Sequence, residues 1–418
     1  MGQTIIEKIL SRASSKSAQT GEIVVAKVDQ VMAQDGTAPL AIQAFERIGG
    51  KKLFDPQRVN LVIDHSAPSP SEGVSNLHKL MRDFASEQGC RIYDIGDGVC
   101  HQVMLESGRM GPGCVVVGAD SHTCTYGALN AFSTGVGSTD LAAALISGHM
   151  WFKVPETIKI VCHGTLPPGV YAKDLILYLI GDLTADGATY KAVEYTGPAI
   201  AALSQEGRFT IANMAVEMGA KAGLMEADEK TFAWLAAHGG GDFTPVSADP
   251  DAAYAAVKEY DVAGLEPQVA KPHRVDNVAP LGTVAGLKVD QCVIGTCTNG
   301  RLEDLRVAAG ILNGKRVHSR VRLVVAPASR RIFLEAMREG ILAALVEAGA
   351  AVVTPGCGPC VGTHNGVPAD GEVVISTANR NFKGRMGNRN AEIYLASPAA
   401  VAAAAVAGEI VDPREFVK

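Results

Sequence analysis

Apolar runs of strand length alternate with helical segments along most of this chain, and polar loops follow many of the runs. Residues 59–63 and 114–117 are almost continuously apolar, which is typical of strands buried on both faces of a parallel sheet. Such strands, alternating with helices, predict an α/β fold with mainly parallel sheets. The carboxyl ends of parallel strands meet at one edge of a sheet, so we expect the polar loops to converge there.

The size of the chain predicts more than one core. Its 418 residues are too many for a single hydrophobic core, and its apolar content of 47% argues against long disorder. We therefore predict three α/β domains, at residues 1–155, 156–280 and 281–418. Residues 239–281 are rich in Gly, Pro and Asp, and we interpret them as a linker with one short helix near residues 252–260.

Charge and cysteine usage argue against several classes of protein. The net charge is −6 and no Lys/Arg-rich run occurs, which argues against a nucleic-acid or anionic-membrane surface. The nine cysteines are mostly spread singly, as expected in a reducing compartment rather than in a disulfide framework. The first residues lack the apolar stretch of a signal peptide, and the run at residues 399–407 is too short to span a bilayer. We expect a cytoplasmic protein with neither a nucleic-acid nor a membrane partner.

Two predicted loops carry three of the cysteines. Cys357-Gly358-Pro359-Cys360 lies in a Gly/Pro-rich stretch that predicts neither helix nor strand, and Cys297 follows another predicted strand. The pattern could be a thiol–disulfide redox pair, a zinc site completed by Cys297 and His364, or the ligand set of an iron–sulfur cluster. The lack of a predicted helix after Cys360 disfavours redox chemistry, and the third cysteine at the same sheet edge favours a metal.

Carboxylate and imidazole side chains stand together after two other predicted strands. Asp64-His65 and Asp120-Ser121-His122 each follow an apolar run, and a neighbouring carboxylate raises an imidazole pKa and fixes its tautomer. His101 adds another imidazole in a Gly-rich turn. Either pair alone is more typical of a polar loop, but two pairs at the ends of parallel strands favour a site.

Two more pairs have both a functional and a structural interpretation. Asn213 and Glu217 lie four residues apart on a helix predicted at residues 209–218, so they share one face. Arg380 and Arg385 lie on one loop and could clamp a carboxylate. A solvated helix edge and simple surface charge are the alternatives.

Together these segments resemble the signatures of the aconitase superfamily. They occur in family order at residues 118–123, 295–299, 357–360 and 379–385, and the resemblance extends from about Gln34 to Pro398. The length of the chain is similar to that of the large subunits of two-subunit members, the isopropylmalate dehydratases and homoaconitases. The resemblance implies three α/β domains around an iron–sulfur cluster cleft.

The resemblance also implies a role for each matching residue. Cys297, Cys357 and Cys360 would ligate a [4Fe–4S] cluster in which one iron has no protein ligand. The implied acid–base and hydrogen-bonding pairs are Asp64 with His65, His101 with Asp120, and His122 with Glu217. The implied substrate-side and cluster-side polar residues are Gln34, Ser121, Asn213, Asn379, Arg380 and Arg385.

The implied activity is a reversible dehydration and rehydration that interconverts 2-isopropylmalate and 3-isopropylmalate in leucine biosynthesis. The alternatives are homoaconitase, a dehydratase of another hydroxy diacid such as dimethylmalate, and, from another class, a metal-bound regulatory or RNA-binding module. In single-chain relatives the catalytic base is a serine of a C-terminal swivelling domain, whereas this chain ends at Lys418. We therefore expect a small subunit that brings the serine and closes the site, in a heterodimer or heterotetramer.

Overall fold

A computed structural model describes residues 2–416 of the chain. Within that range the strands, numbered in chain order, are β1 (Ile23–Lys27), β2 (Gln30–Gln34), β3 (Val59–Val62), β4 (Arg91–Tyr93), β5 (Val115–Gly118), β6 (Phe132–Gly135), β7 (His149–Lys153), β8 (Thr157–His163), β9 (Ala192–Thr196), β10 (Ala222–Leu224), β11 (Ala256–Asp261), β12 (Gln268–Ala270), β13 (Val278–Pro280), β14 (Gln291–Gly295), β15 (Arg322–Ala326), β16 (Ala351–Val352), β17 (Val373–Ser376) and β18 (Glu392–Leu395).

The α-helices of the same range are α1 (Ile5–Ser14), α2 (Ala38–Arg47), α3 (Glu72–Gln88), α4 (Cys100–Glu106), α5 (Ser138–Ser147), α6 (Ala172–Leu183), α7 (Pro198–Ala202), α8 (Gln205–Asn213), α9 (Glu229–Ala237), α10 (Thr296–Asn299), α11 (Leu302–Leu312), α12 (Arg330–Arg338), α13 (Ile341–Ala348), α14 (Gly358–Val361) and α15 (Pro398–Ala407). Short 3₁₀ helices lie at Pro56–Arg58, Ser121–Leu129, Met214–Met218, Leu281–Val284 and Pro413–Glu415.

Three sheets of the fold are wholly or mainly parallel. The first has the order β4-β3-β2-β5-β6 and the second the order β10-β9-β8-β11, and every strand pair in both is parallel. The third, β13-β12-β18-β17-β14-β15-β16, is parallel from β18 to β16 and carries β12 and β13 as antiparallel strands at one edge. An antiparallel ribbon of β1 and β7 completes the sheets. The predicted α/β fold with mainly parallel sheets is confirmed.

The strands that lead to the candidate site are buried on both faces. Every residue of β3, β5 and β14 is buried, which explains why their sequences are mostly apolar rather than alternating. One apolar core cluster contains Val116, Val193 and Val293, which belong to the first, second and third sheet respectively. The three sheets therefore pack around shared core residues, and this packing holds their strand ends together.

Residues 239–281 are not a plain linker. The helix predicted near residues 252–260 is wrong, because β11 forms there and pairs in parallel with β8 along six residues. Exposed and less exposed side chains alternate along β11, the period of two of an edge strand, so sheet pairing overrides the local helical preference. β12 and β13 join the third sheet although they precede the predicted boundary at residue 280. The division into three domains remains a prediction.

Three predicted segments have different local structure. In the sequence, Ser329 predicts an N-cap and the residues after it predict one helix to about residue 347. The structure divides this helix into α12 and α13 at Gly340, where φ is 74°. The single helix predicted at residues 209–218 is wrong, because α8 ends at Asn213 and a 3₁₀ segment follows. Cys357–Cys360 was predicted to be neither helix nor strand, yet Gly358–Val361 form the single turn α14, with Cys357 before it, Pro359 near its start and Gly362 after its end.

All nine cysteines lie in the described range as free thiols. Among residues 2–416, every helix is too short or too polar to cross a membrane. The cytoplasmic location remains a prediction.

Ser329→Ala should lower the stability of the protein, because Ser329 joins the first and third sheet regions. Its buried hydroxyl accepts a hydrogen bond from Ile332 N at 3.2 Å, at the start of α12, and donates one to Glu106 Oε1 at 2.6 Å, at the end of α4. Losing a helix N-cap costs about 1 kcal/mol, and losing the second bond adds to that cost. The shift of the urea unfolding midpoint measures the effect.

Ser71→Ala is the matched control for this experiment. Ser71 caps α3 through Val74 N at 3.4 Å, from an exposed position. We expect a smaller loss of stability for this variant than for Ser329→Ala. Equal losses would contradict the importance assigned to the buried bond with Glu106.

Candidate active site

The carboxyl ends of strands from the first and third sheets meet around a cavity of about 170 Å³. The strands β2, β3 and β5 approach it from one side, and β14 and β17 approach it from the other. The predicted site residues that line the cavity are Gln34, His65, His101, Asp120, His122, Cys297, Cys357, Asn379, Arg380 and Arg385. The remaining predicted residues, Asp64, Ser121, Asn213, Glu217 and Cys360, contact members of this set.

Asp64 joins three segments of the site. Its Oδ1 lies 2.8 Å from His65 Nδ1, and its Oδ2 accepts a hydrogen bond from Cys100 N at 2.7 Å. Its main-chain carbonyl accepts from the Cys357 amide at 2.8 Å. Because α4 begins at Cys100, the carboxylate also lies at the positive end of that helix. The Asp64–His65 pair is therefore fixed beside the first cysteine of the α14 turn.

The charge of His65 follows from its carboxylate neighbours. Burial alone would lower its pKa, but Asp64, Asp120 and Asp35 raise the pKa to about 9. His65 Nε2 lies 3.7 Å from Asp120 Oδ2, and Nδ1 lies 4.0 Å from Asp35 Oδ1. The imidazole is therefore protonated at neutral pH, and it places a proton donor at the cavity wall.

His101 and His122 share the carboxylate of Asp120. His101 Nε2 lies 2.9 Å from Asp120 Oδ1, and the same oxygen accepts a hydrogen bond from His122 N at 2.8 Å. Burial alone would raise the pKa of Asp120, but the two histidines hold it well below its ordinary value. Asp120 is therefore an anion at neutral pH, and its Oδ1 contacts both histidines.

One carboxylate oxygen of Glu217 contacts both a histidine and an arginine. His122 Nε2 and Arg380 Nε each lie 2.8 Å from Glu217 Oε1. Burial alone would raise the pKa of Glu217, but these two partners lower it. Although the helix predicted for Asn213 and Glu217 is interrupted, both side chains are buried towards the site. The three predicted carboxylate–imidazole pairs are thus each in hydrogen-bond contact.

The three cysteines are buried, and polar side chains surround their sulfur atoms. Asn213 Nδ2 lies 3.4 Å from Cys297 Sγ, and Arg385 Nη2 lies 3.2 Å from Cys360 Sγ. Asn379 lies between the two, with Nδ2 3.7 Å from Cys297 Sγ and Oδ1 3.7 Å from Cys360 Sγ. Donors in such positions stabilise thiolates and orient metal ligands.

A thiol–disulfide role fits this environment poorly. Cys357 is 4% exposed and Cys360 is fully buried, whereas redox-active cysteines are partly accessible. A hydrogen bond from Cys357 and the positive charge of Arg385 hold the pKa of Cys360 well below its ordinary value. The stabilised thiolate is therefore that of the second cysteine and not of Cys357, which stands at the start of the short helix.

A single zinc ion also fits poorly. In the part of the chain that the structure describes, Cys297, Cys357 and Cys360 are not a set of three whose sulfur atoms lie within 4.8 Å of one another, as the ligands of one ion would be. His364, the fourth ligand of that interpretation, has partners at both ring nitrogens, 2.9 Å from Thr363 Oγ1 and 3.0 Å from Ala67 O. Because the three sulfur atoms are not all this close together, they suit a polynuclear cluster better than a single ion.

Sequence reasoning missed Asp35, a buried carboxylate that shapes the His65 turn. Asp35 accepts hydrogen bonds from the main-chain amides of Asp64, His65 and Ser66 at 3.1, 2.7 and 2.9 Å. It follows β2 in the same way as Asp64 follows β3. The strand-end pattern that identified Asp64 could therefore have identified Asp35.

Two further buried residues carried no such signal. The Tyr126 hydroxyl lies 3.3 Å from His101 Nδ1. Arg301 donates to the carbonyls of Thr298, at 2.8 Å, and Cys297. Tyr126 and His101 lie 25 residues apart and meet only in the folded chain. The acceptors of Arg301 lie three and four residues before it, but the sequence does not indicate how these carbonyls are oriented.

Comparison with known proteins gives full-length matches. The sequence matches the aconitase family (aconitate hydratase) over residues 7–408. It is 51% identical to 3-isopropylmalate dehydratase large subunit 1 of Methanopyrus kandleri and 56% identical to 3-isopropylmalate dehydratase large subunit 2 of Archaeoglobus fulgidus, with 100% of each chain covered. It is 53% identical to the probable methanogen homoaconitase large subunit of Methanosarcina mazei, over 94% of this chain and 100% of that one. The resemblance expected from the motifs is confirmed.

The stability of the protein should fall as pH rises through about 9, because His65 loses its proton there. Its pKa rises from 6.5 to about 9 on folding. When folding raises the pKa of a group, protonation of that group stabilises the folded state. This stabilisation is fully present below the pKa of the unfolded state and is lost as the pH rises through the pKa of the folded state. The shift corresponds to roughly 3 kcal/mol at most. Urea unfolding between about pH 6 and about pH 10 measures the slope.

His65→Gln should flatten that part of the pH profile. Asp64→Asn should lower the pKa of His65, which NMR titration of ¹³C-labelled histidine reports. An unchanged slope in His65→Gln would show that other groups cause the loss of stability.

Proposed function

Because the chain belongs to the aconitase family, we propose that it is the large subunit of a hydro-lyase that interconverts 2-isopropylmalate and 3-isopropylmalate. The observation that carries the proposal is the meeting of three carboxylate–imidazole pairs and three buried cysteines around one cavity of about 170 Å³. Relatives at 51% and 56% identity are 3-isopropylmalate dehydratase large subunits. The reaction belongs to leucine biosynthesis.

Moving a hydroxyl group between neighbouring carbons of a diacid requires the elimination of water and its readdition. In the elimination, a base removes a proton from the carbon next to a carboxylate, a carbon–carbon double bond forms, and hydroxide leaves as water. In the readdition, water attacks the other carbon and the proton returns. No electrons are gained or lost overall. The site must therefore supply an acid, a base and stabilisation of negative charge.

His65 supplies the proton for the leaving hydroxyl. The imidazole lines the cavity, and its three carboxylate neighbours keep it protonated, with a pKa of about 9. Asp64 holds Nδ1 at 2.8 Å, so Nε2 is the nitrogen that delivers the proton. After the elimination the neutral imidazole can take a proton back from the incoming water, as the reverse reaction requires.

The arginines at the cavity wall bind the carboxylates of the diacid. Arg380 and Arg385 both line the cavity, and a guanidinium group suits bidentate contact with a carboxylate. Arg380 is held by Glu217 and Arg385 by Cys360, so both are positioned before the substrate arrives. Such preorganisation means that less ordering is needed in the transition state.

Two polar residues contact the ionisable groups near Asp120, and of the two only Gln34 lines the cavity. Gln34 Nε2 lies 3.5 Å from Asp120 Oδ2, and Ser121 Oγ lies 3.5 Å from His122 Nδ1. Both can turn a hydrogen-bonding group towards the substrate while they orient the ionisable residues.

Members of the family bind an iron–sulfur cluster, and the donor set of this site fits one. Cys297, Cys357 and Cys360 would hold a [4Fe–4S] cluster in which one iron has no protein ligand. When bound, the cluster supplies a Lewis acid for the substrate hydroxyl and carboxylate. Asn213 and Arg385, already within hydrogen-bond distance of the sulfur atoms of Cys297 and Cys360, would stabilise the negative charge of these ligands.

In this proposal a small subunit completes the site. The relatives are large subunits by name, and this chain matches 100% of their length. This supports a two-subunit enzyme in which this chain is the large subunit. The small subunit would contribute the serine that removes the proton from carbon, in a heterodimer or heterotetramer. The described chain would supply the acid, the carboxylate-binding residues and the cluster ligands.

Homoaconitase is the second candidate function. The 53% identical homoaconitase relative favours it. Both activities use the same elimination chemistry and differ in the substituent that the diacid carries. A dehydratase of dimethylmalate would use the same residues as well.

The chain purified anaerobically with its small subunit should dehydrate isopropylmalate, and the chain alone should be inactive. Ultraviolet absorbance of the unsaturated product gives kcat/KM for isopropylmalate, homocitrate and dimethylmalate. His65→Gln should lower kcat by about 10²-fold or more, because it cannot deliver the proton. A preference for homocitrate would favour the second candidate, and full turnover by the chain alone would contradict the two-subunit proposal.

Cys357→Ser should prevent retention of the cluster. Iron and acid-labile sulfide per chain, together with visible absorbance, measure this after anaerobic reconstitution. Cys162→Ser is the matched control, because Cys162 is equally buried but lies in β8, and its iron content should equal that of the unmodified chain. An unchanged iron content in Cys357→Ser would refute the ligand assignment.

A further inference from the structure

Lys173 is a fully buried lysine of α6 that belongs to none of the pairs described above. Its ammonium donates hydrogen bonds to the main-chain carbonyls of Thr377, at 2.8 Å, and Ala378, at 2.6 Å. The neighbouring Asp174 does not offset this charge by contact, because its carboxylate accepts from the amides of Tyr171 and Gln268.

The two carbonyls lead directly into the candidate active site. Asn379, which lies between the sulfur atoms of Cys297 and Cys360, follows Ala378 immediately. On the other side, the Thr377 hydroxyl accepts from Gly295 N at 2.9 Å, two residues before Cys297. The ammonium is therefore bonded to the segment that connects β17 with the surroundings of the cysteines.

The electrostatic surroundings of Lys173 also point to the cysteines. Burial lowers its pKa to about 7, and the anions that act against this lowering are led by Cys360 and Cys297. These groups act through space and not through hydrogen bonds to Lys173. A buried charge without a contacting counter-ion costs several kcal/mol of solvation. An apolar side chain would fill the same position without this cost.

We propose that Lys173 is a positioning residue of the cysteine site, whose buried ammonium fixes residues 377–380 and offsets the negative charge of the cysteine ligands. The inference rests on the proposed function in one respect, that Cys297, Cys357 and Cys360 are cluster ligands. Three thiolates place a high negative charge in a buried site. When Lys173 is protonated, its positive charge near the cysteines lowers the cost of that charge and raises the reduction potential of the bound group.

Three variants separate this role from a simple tie between α6 and β17. Lys173→Met removes both the charge and the donors, whereas Lys173→Gln removes the charge and keeps an amide donor. Lys230→Met is the matched control, because Lys230 donates to the carbonyls of Ala201, Ala202 and Leu203 at 2.7 to 2.9 Å from an exposed position. The Lys230→Met variant therefore loses an ammonium group that donates to carbonyl oxygens but is exposed rather than buried near the cysteines.

The measurements are made on the anaerobically reconstituted complex with the small subunit. Redox titration followed by electron paramagnetic resonance gives the midpoint potential of the cluster, and iron analysis gives its retention. Both Lys173 variants should shift the potential to more negative values, while Lys230→Met leaves it unchanged. Unchanged potentials in both Lys173 variants would overturn the proposal.

Thermal unfolding of the metal-free chain provides a second test if Lys173→Met binds no cluster or does not fold. Under the proposal, Lys173→Gln folds to a metal-free chain of near-normal stability and loses iron faster than the unmodified complex. A large loss of metal-free stability in Lys173→Gln, with unchanged iron retention, would overturn the proposal in favour of a purely structural tie. Neither measurement uses a substrate, so inactivity towards isopropylmalate would reject the proposed function without deciding this inference.

Discussion

The candidate site depends on the buried residue Asp64, which joins its own turn to two segments that are distant along the chain. It holds the imidazole of His65, the first amide of α4 at Cys100 and, through its main chain, the amide of Cys357. Because 1% of Asp64 is exposed, water cannot replace these partners, and a lost bond would leave a buried donor unsatisfied. The acid–base pairs and the cysteine turn are therefore assembled as one unit.

Opposite charges in contact keep this unit ionised although it is buried. Burial favours neutral Asp120, Glu217 and His65, yet the pKa values of the two carboxyl groups fall and that of the imidazole rises. In each case the contacts of a neighbouring charge outweigh the solvation that burial removes. Such a site is costly to fold and useful for catalysis, since its charges need little rearrangement when the substrate arrives. Arg385 and, under the proposal above, Lys173 offset the negative charge of the cysteines in the same way.

The local sequence predicted the secondary structure correctly where burial and local conformational preference agreed. The buried runs of β3, β5 and β14 and the cap at Ser329 were predicted because each segment carries its own signal. The errors occurred where a distant partner decides the structure. β11 forms a strand because β8 offers it a hydrogen-bonding edge. The single turn at residues 358–361 was missed because Gly and Pro argue against helix in isolation.

By itself, the sequence determined the α/β architecture, the family and the identity of the residues at the strand ends, because hydrophobic periodicity and short motifs are properties of local chain segments. It indicated the three carboxylate–imidazole pairs only through the family resemblance, and it did not determine the other contacts among those residues. Only the tertiary structure decided that Asp120 serves two histidines, that Arg380 and His122 share Glu217, and that Lys173 lies behind the cysteine loops. The physical reason is that these contacts join segments up to about two hundred residues apart, and only packing of the three sheets around a common core brings them within hydrogen-bond distance.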